Sequence, residues 1–116
     1  MTAATDDARI RRLAVALLRK IEAVLGLGHL PATAVDEPVF EGAQATLGGR
    51  PLTSLDVITA LVAVQEEIGV ALLDRVDLAE AGTLMRLAAL AASKADKHAI
   101  ERFCASWATA GEFTPP

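Results

Sequence analysis

This chain of 116 residues is long enough for one domain with a modest hydrophobic core, and it carries a net charge of −4. Hydrophobic residues make up 53% of it, mostly Ala, Leu and Val, while aromatic residues make up 3%. So much Ala and Leu, with so few aromatic residues, favours packed helices over a sheet. The apolar runs are too short to span a bilayer. A single cysteine, Cys104, excludes an internal disulfide and is typical of a reducing compartment.

The acidic residues are concentrated in the middle of the sequence. Residues 31–80 contain two basic side chains, Arg50 and Arg75, and nine acidic ones, which gives this part a charge of −7. Unless it is an ordinary solvated surface, such a region repels nucleic acid and anionic membranes and attracts basic protein partners. The first seven residues include Asp6 and Asp7 and lack the basic-then-apolar order of a signal peptide. We therefore expect a cytoplasmic protein.

The first predicted helix covers residues 6–25. Asp6 and Asp7 suit its start, and Gly26 suits its end. Apolar residues recur three and four positions apart along it; they are Ile10, Leu13, Leu17, Ile21 and Val24. Residues 26–52 then form a connection rich in Gly and Pro, and a loop of this length needs anchors on the core. The expected anchors are Leu30, Val35, Val39, Phe40 and Leu47.

The second predicted helix, residues 54–68, has the clearest signals. Thr53 is the expected N-cap, Asp56 stands three residues later in the capping-box position, and Gly69 ends the helix. The core-facing stripe consists of Val57, Leu61, Val64 and Ile68. The opposite, mostly polar face consists of Asp56, Thr59, Ala63, Glu66 and Glu67. Ile58 and Val62 lie on the flank, either at the edge of the core or as an apolar contact patch.

The last third of the chain predicts two more full helices. Residues 70–77 form a linker, and residues 78–81 form a single helical turn closed by Gly82. Thr83 caps a helix that directs Leu84, Leu87 and Leu90 inward. The segment 94–110, with Ile100, Phe103 and Trp107, either continues that helix or starts anew at Ser93-x-x-Asp96, and it ends at Gly111. The predicted fold class is all-α: a four-helix bundle with a short third helix and a C-terminal helical extension.

Ser54 is the residue that points most directly to chemistry. It opens the second helix, where backbone N–H groups are unpaired and the helix dipole is positive. A phosphodiester on its hydroxyl would be stabilised there. The alternative is a serine at a helix start that carries no modification.

Several motifs resemble the acyl carrier protein and peptidyl carrier protein family. The motif from Ser54-Leu55-Asp56 to Glu66-Glu67-Ile68-Gly69 resembles the signature that follows the attachment serine of that family. Leu47-Gly48-Gly49 resembles its Leu-Gly-Gly, and Val39-Phe40 its loop phenylalanine. Ala81-Gly82-Thr83-Leu84 resembles the passage from its short third helix into the fourth. The resemblance implies an N-terminal tail (1–7), a carrier-protein domain (8–92) and a C-terminal helical extension and tail (93–116).

By this resemblance, a phosphopantetheinyl transferase would attach 4′-phosphopantetheine to Ser54, and the thiol of that arm would carry an acyl or aminoacyl group as a thioester. The residues that would contact partner enzymes are Asp56, Ile58, Val62 and Glu66. The residues that would line the interior for a bound chain are Val57, Leu61 and Val64. The implied partners are the transferase, a loading enzyme and a downstream synthase or transferase. The carrier itself would be a monomer and not an enzyme.

Three features depart from the family pattern. Thr53 stands where the family usually has Asp, and Arg50-Pro51-Leu52 adds three residues before the serine. Thr59 and Gln65 stand where Glu is common. Together these departures favour a specialised carrier in secondary metabolism over the carrier of fatty-acid synthesis.

Other readings have weaker support. A serine hydrolase needs a base, but His29 and His98 are expected to be solvated. One Cys and two His without ligand spacing do not predict a zinc site. We expect Cys104 to be a buried thiol and Gly48-Gly49 to be a turn. The basic residues of the first helix are expected to be solvated; they are Arg9, Arg11, Arg12, Arg19 and Lys20. The main alternative function is an unmodified helical protein-interaction module.

Overall fold

The computed structural model describes residues 2–41, 44–47, 49–69 and 82–108, with the backbone alone for residues 2–7, 40–41 and 44–45. Within these ranges the chain forms four α-helices, and the predicted all-α class is confirmed. They are α1 (Thr2–Leu25), α2 (Ser54–Ile68), α3 (Leu84–Lys94) and α4 (Lys97–Trp107). Three predictions lie outside the described residues: the linker 70–77, the short helix 78–81 and the end at Gly111. The side chains of Asp6, Asp7 and Phe40 lie outside them as well.

Helix α1 is the central element of the bundle. It packs against the other three α-helices and against a 3-10 helix, Ala32–Asp36. Every residue from Leu13 through Arg19 is buried, as expected for a helix that is surrounded by others. The single apolar stripe predicted for this helix is therefore too narrow, although Leu13, Leu17 and Ile21 are buried as expected. The helix also starts earlier than predicted, at Thr2 instead of residue 6.

A buried ion pair on α1 holds the chain that follows the helix. Arg19 and Glu22 are 8% and 7% exposed, and Arg19 Nη1 lies 2.7 Å from Glu22 Oε2. The same two groups bind the backbone of Leu30: its carbonyl accepts from Arg19 Nη1 at 2.7 Å, and its N–H donates to Glu22 Oε2 at 2.6 Å. The prediction that Arg19 is solvated is therefore wrong, because its guanidinium binds a turn of the connection.

Three other basic residues of α1 also take carboxylate partners. Arg11 makes a two-pronged contact with Asp36, at 2.8 and 3.1 Å, and fixes the 3-10 helix to α1. Arg12 Nη1 lies 3.2 Å from Glu101 Oε2, across to α4. Lys20 Nζ lies 2.8 Å from Glu67 Oε1 at the end of α2. Four of the five basic residues expected to be solvated, all except Arg9, thus hold α1 to other segments.

The connection after α1 contains a small sheet that the sequence did not predict. Strands β1 (Phe40–Glu41), β2 (Gln44–Leu47) and β3 (Arg50–Leu52) pair antiparallel in the order β1-β2-β3. Leu47 pairs with Arg50 across a two-residue loop. In that loop Gly49 has a φ of 81°, the left-handed conformation that suits glycine and such hairpins. The predicted anchors Val35, Val39 and Leu47 are buried, and Leu30 is half-buried.

Helix α2 has the predicted bounds and the predicted inner face. Gly69 ends it in the left-handed conformation, with a φ of 85°, and donates its N–H to the carbonyl of Gln65 at 2.8 Å. The whole core-facing stripe is buried, and Ala60 is buried beside it. Those four stripe residues are Val57, Leu61, Val64 and Ile68.

The C-terminal segment turns back onto the bundle instead of continuing α3. Helix α3 ends at Lys94 with Ala95 as its C-cap, and Asp96 caps α4 by accepting from the N–H groups of His98 and Ala99. The alternative start at Ser93 is wrong, since its hydroxyl donates to the Leu90 carbonyl within α3. Helix α4 packs on α1 and α2 and brings Phe103, 1% exposed, into the common core. The extension therefore covers the bundle.

Candidate functional site

The start of α2 presents a serine hydroxyl to solvent. Ser54 is exposed and is the first residue of the helix, and no hydrogen bond of its hydroxyl is found within the described part of the chain. The capping role belongs to its neighbour: Thr53 Oγ1 accepts from the N–H of Asp56, and Asp56 Oδ2 accepts from the N–H of Thr53, both at 3.0 Å. Because this capping box closes the helix without Ser54, the serine oxygen is left accessible for chemistry.

The electrostatics at this position favour an anion. The N–H of Val57 donates to the Thr53 carbonyl at 3.1 Å, which is the first backbone bond of the helix. The N–H groups of Ser54 and Leu55 precede it and have no intrahelical acceptor. Together with the positive end of the helix dipole, they would stabilise a phosphate attached to the Ser54 oxygen.

An apolar stripe runs along α2 beside the serine. Leu55 is 72% exposed and Ile58 is 48% exposed, and these are the large apolar side chains that the described residues leave exposed. They lie three residues apart, on neighbouring positions of one helix surface. Val62, one turn further on, is half-buried. Ile58 is therefore exposed and Val62 lies at the edge of the core, while the most exposed large apolar side chain of the described residues is Leu55, which was not among the predicted contact residues.

The position of Leu55 in the sequence indicates that its side chain is exposed. It lies two positions before Val57, and two residues of a helix are separated by about 200° around the axis. Since Val57 faces the core, Leu55 has to face away from it. A large apolar side chain therefore lies exposed directly after the candidate serine.

The two acidic residues expected to meet partners lie at opposite ends of α2. Asp56 is half-buried and one of its oxygens is engaged in the capping box, while Glu66 is exposed. Glu66 follows Ser54 by twelve positions, roughly 18 Å along the helix axis. Glu67, next to it, is fixed to the bundle: its carboxylate accepts from Trp107 Nε1 at 2.7 Å and pairs with Lys20. Asp56 therefore lies close to the serine, and Glu66 does not.

The space below α2 is small. An apolar cavity of about 10 Å³ lies between α2, α1 and the sheet, about the room of one water molecule. Val57 and Leu61 line it, together with Ile21, Leu47 and Leu84. Val64 is fully buried but is not among the residues that line this cavity. In this conformation there is no room here for an acyl chain among the described residues.

Groups for other chemistry lie on elements other than α2. His29 and His98 are exposed, as expected, in the connection after α1 and on α4. Cys104 is buried, as expected, and this burial raises the pKa of its thiol, while Arg12 opposes the shift. Among the described residues no three His, Cys, Asp or Glu side chains come together as metal ligands. No described helix is long and apolar enough to cross a membrane.

Comparisons with known proteins identify no relative. No protein-family model matches the sequence, and neither curated proteins nor solved structures give a match.

Proposed function

We propose that the protein is a discrete acyl or aminoacyl carrier that holds its cargo on 4′-phosphopantetheine attached to Ser54. The observation that carries the proposal is the exposed hydroxyl at the first residue of α2, beside an exposed apolar stripe. A capping box built by other residues makes this serine dispensable for the helix. In a carrier, that residue is free to hold the arm, and the chain itself performs no catalysis.

Two departures from the carrier pattern have a local structural explanation. The three added residues, Arg50-Pro51-Leu52, form β3 and pair with β2. The insertion is therefore part of the small sheet, and α2 follows it. Thr53 replaces the usual Asp and still forms a complete capping box. Both features are compatible with an attachment site at Ser54 in a specialised, secondary-metabolic carrier.

Docking in this proposal is transient and uses the surface around the serine. Leu55 and Ile58 supply apolar contact, and Asp56, with Glu66 further along, supplies charge for basic residues of a transferase, a loading enzyme and a synthase. A small, partly polar contact of this kind suits a shuttle, because each enzyme has to release it. The lone thiol Cys104 fits a cytoplasmic setting, where thiols stay reduced.

Intact-mass spectrometry tests the attachment. The full chain is incubated with coenzyme A and a promiscuous phosphopantetheinyl transferase, and we expect the mass to rise by one phosphopantetheine. Ser54→Ala should abolish the gain, whereas Ser106→Ala, which removes another exposed helical serine, should leave it intact. Absence of a gain with several transferases would refute the carrier function.

The competing function is an unmodified protein-interaction module. The exposure of Leu55 and Ile58 favours it, since an apolar stripe can bind a partner without any arm. The same mass experiment separates the two functions. A module keeps its mass, and its binding to a partner is unaffected by Ser54→Ala but weakened by Leu55→Ala.

A further inference from the structure

An open groove of about 540 Å³ lies between α1, α3 and α4, away from the serine. Its volume falls within the range of small-molecule sites. Its α1 wall spans residues 9–13, which precede Ile21 by eight to twelve positions, roughly 12–18 Å along the helix. Since Ile21 lines the small cavity below α2, the groove is a separate space beside the first half of α1.

The groove lies where α3 and α4 are joined by a short connection and where α3 presents small side chains. Only Ala95 and Asp96 separate α3 from α4, so the two helices diverge immediately. Helix α3 turns Ala89 and Ala92 toward the opening, and alanine side chains leave the space between the helices unfilled. Buried Leu13 and Cys104 take part in the lining, and half-buried Ile10 and Ile100 add apolar surface. The surface in contact with an occupant is therefore mainly aliphatic.

The polar groups of the groove are mostly cationic. Arg9, Arg12 and Lys97 line it against one carboxylate, that of Glu101. Arg12 already pairs with Glu101, at 3.2 Å. Arg9 and Lys97 are exposed and have no carboxylate partner within the described residues. A net positive lining is unexpected on a chain with a net charge of −4, and it complements an anion.

We infer that this groove binds a single aliphatic carboxylate of medium length. The alkyl chain lies along Ile10, Leu13 and Ile100, and the carboxylate meets Arg9 and Lys97. Burial of the chain supplies most of the affinity, and the two cations select the anionic head group. The site does not depend on Ser54 or on any arm, and so it goes beyond the carrier function.

The test is a titration of the full, unmodified chain with decanoate below its micelle concentration. Decanol and decyltrimethylammonium serve as neutral and cationic ligands of equal chain length. Calorimetry gives the affinity, and amide chemical shifts give the location. We expect decanoate to bind most tightly, with the largest shifts at Ala89, Ala92 and Ile100. Ser54→Ala should behave like the unmodified chain, which separates this outcome from that of the carrier test.

Paired variants test the role of the charges. Removing both free cations, with Arg9→Gln and Lys97→Gln, should weaken decanoate binding by about tenfold and leave decanol binding unchanged. Arg102→Gln removes a cation of α4 outside the groove and should change neither. The inference fails if decanol binds as tightly as decanoate or if the shifts centre on Leu55 and Ile58. It also fails if the groove amides shift with protein concentration alone, because a second copy would then be the occupant.

Discussion

The start of α2 and the second half of α1 differ in how their side chains are held. On α1, Arg19 and Glu22 are buried, pair with each other and bind the backbone of Leu30, and Lys20 pairs with Glu67 of α2. At the start of α2, Ser54 and Leu55 extend into solvent, and the local capping box holds the backbone beneath them. Arg19, Glu22 and the buried residues packed around them form a platform that supports the fold, and Ser54 and Leu55 form an exposed surface. Substitutions in the platform should lower the free energy of unfolding, and substitutions at the exposed surface should weaken the binding of a partner.

The largest effect is expected at the buried ion pair. Arg19→Ala leaves the carboxylate of Glu22 buried without its cation, which typically costs about 3–5 kcal/mol of unfolding free energy. The matched control is Arg12→Ala on the same helix. Its pair with Glu101 is 37% and 57% exposed, so the expected loss is below about 1 kcal/mol. Urea denaturation measures both, and equal losses would show that burial does not distinguish the two pairs.

Two leucines of α2, one buried and one exposed, allow a more direct comparison of the core with the exposed surface. Leu61 is 1% exposed, and Leu61→Ala should cost about 2–5 kcal/mol because it leaves a cavity in the core. Leu55 is 72% exposed, and Leu55→Ala should change stability by less than about 0.5 kcal/mol. Thermal or urea unfolding gives the two values. A large loss for Leu55→Ala would mean that this side chain supports the fold and is not free for a partner.

Removal of the capping box at the start of α2 should have an intermediate effect. Thr53→Ala deletes the acceptor for the Asp56 N–H and should cost about 1 kcal/mol, with faster hydrogen exchange in the first turn of α2. Thr53→Asp should retain the cap. Thr59→Ala, at an exposed mid-helix position, is the control and should be neutral or slightly stabilising. Unchanged exchange in Thr53→Ala would show that the box does not hold the backbone at Ser54.

The sequence predicts the helices well because their signals are local. The bounds of α2 follow from a capping threonine, a glycine and an apolar period, all within seventeen residues of one another. The sheet escaped prediction because strands of two to four residues, broken by Gly and Pro, carry no alternating pattern to detect. Whether Arg19 and Glu22 are buried is not a local property either. Three residues apart, they look like a surface pair until other helices and the turn at Leu30 cover them.

The smallest expected effect concerns the exposed counterpart of that buried pair. Hydrogen bonds from Arg11 lower the pKa of the Asp36 carboxyl, and partial burial opposes the shift. Since the pKa in the folded chain lies below that in the unfolded chain, the pair stabilises the fold above the unfolded-state value of about 3.9. This contribution is lost as the pH falls through the lower, folded-state pKa.

Asp36→Asn should therefore cost less than about 1 kcal/mol at neutral pH, because both side chains are about half exposed and solvent screens them. At a pH below the folded-state pKa, the variant and the parent chain should unfold at nearly the same urea concentration. Glu37→Gln, which alters the adjacent exposed carboxylate, serves as the control and should show no such convergence. If the deficit of Asp36→Asn persists in acid, the carboxylate charge is not what fastens the 3-10 helix to α1. The contact would then act through its neutral hydrogen bonds, and the platform would keep this attachment at every pH.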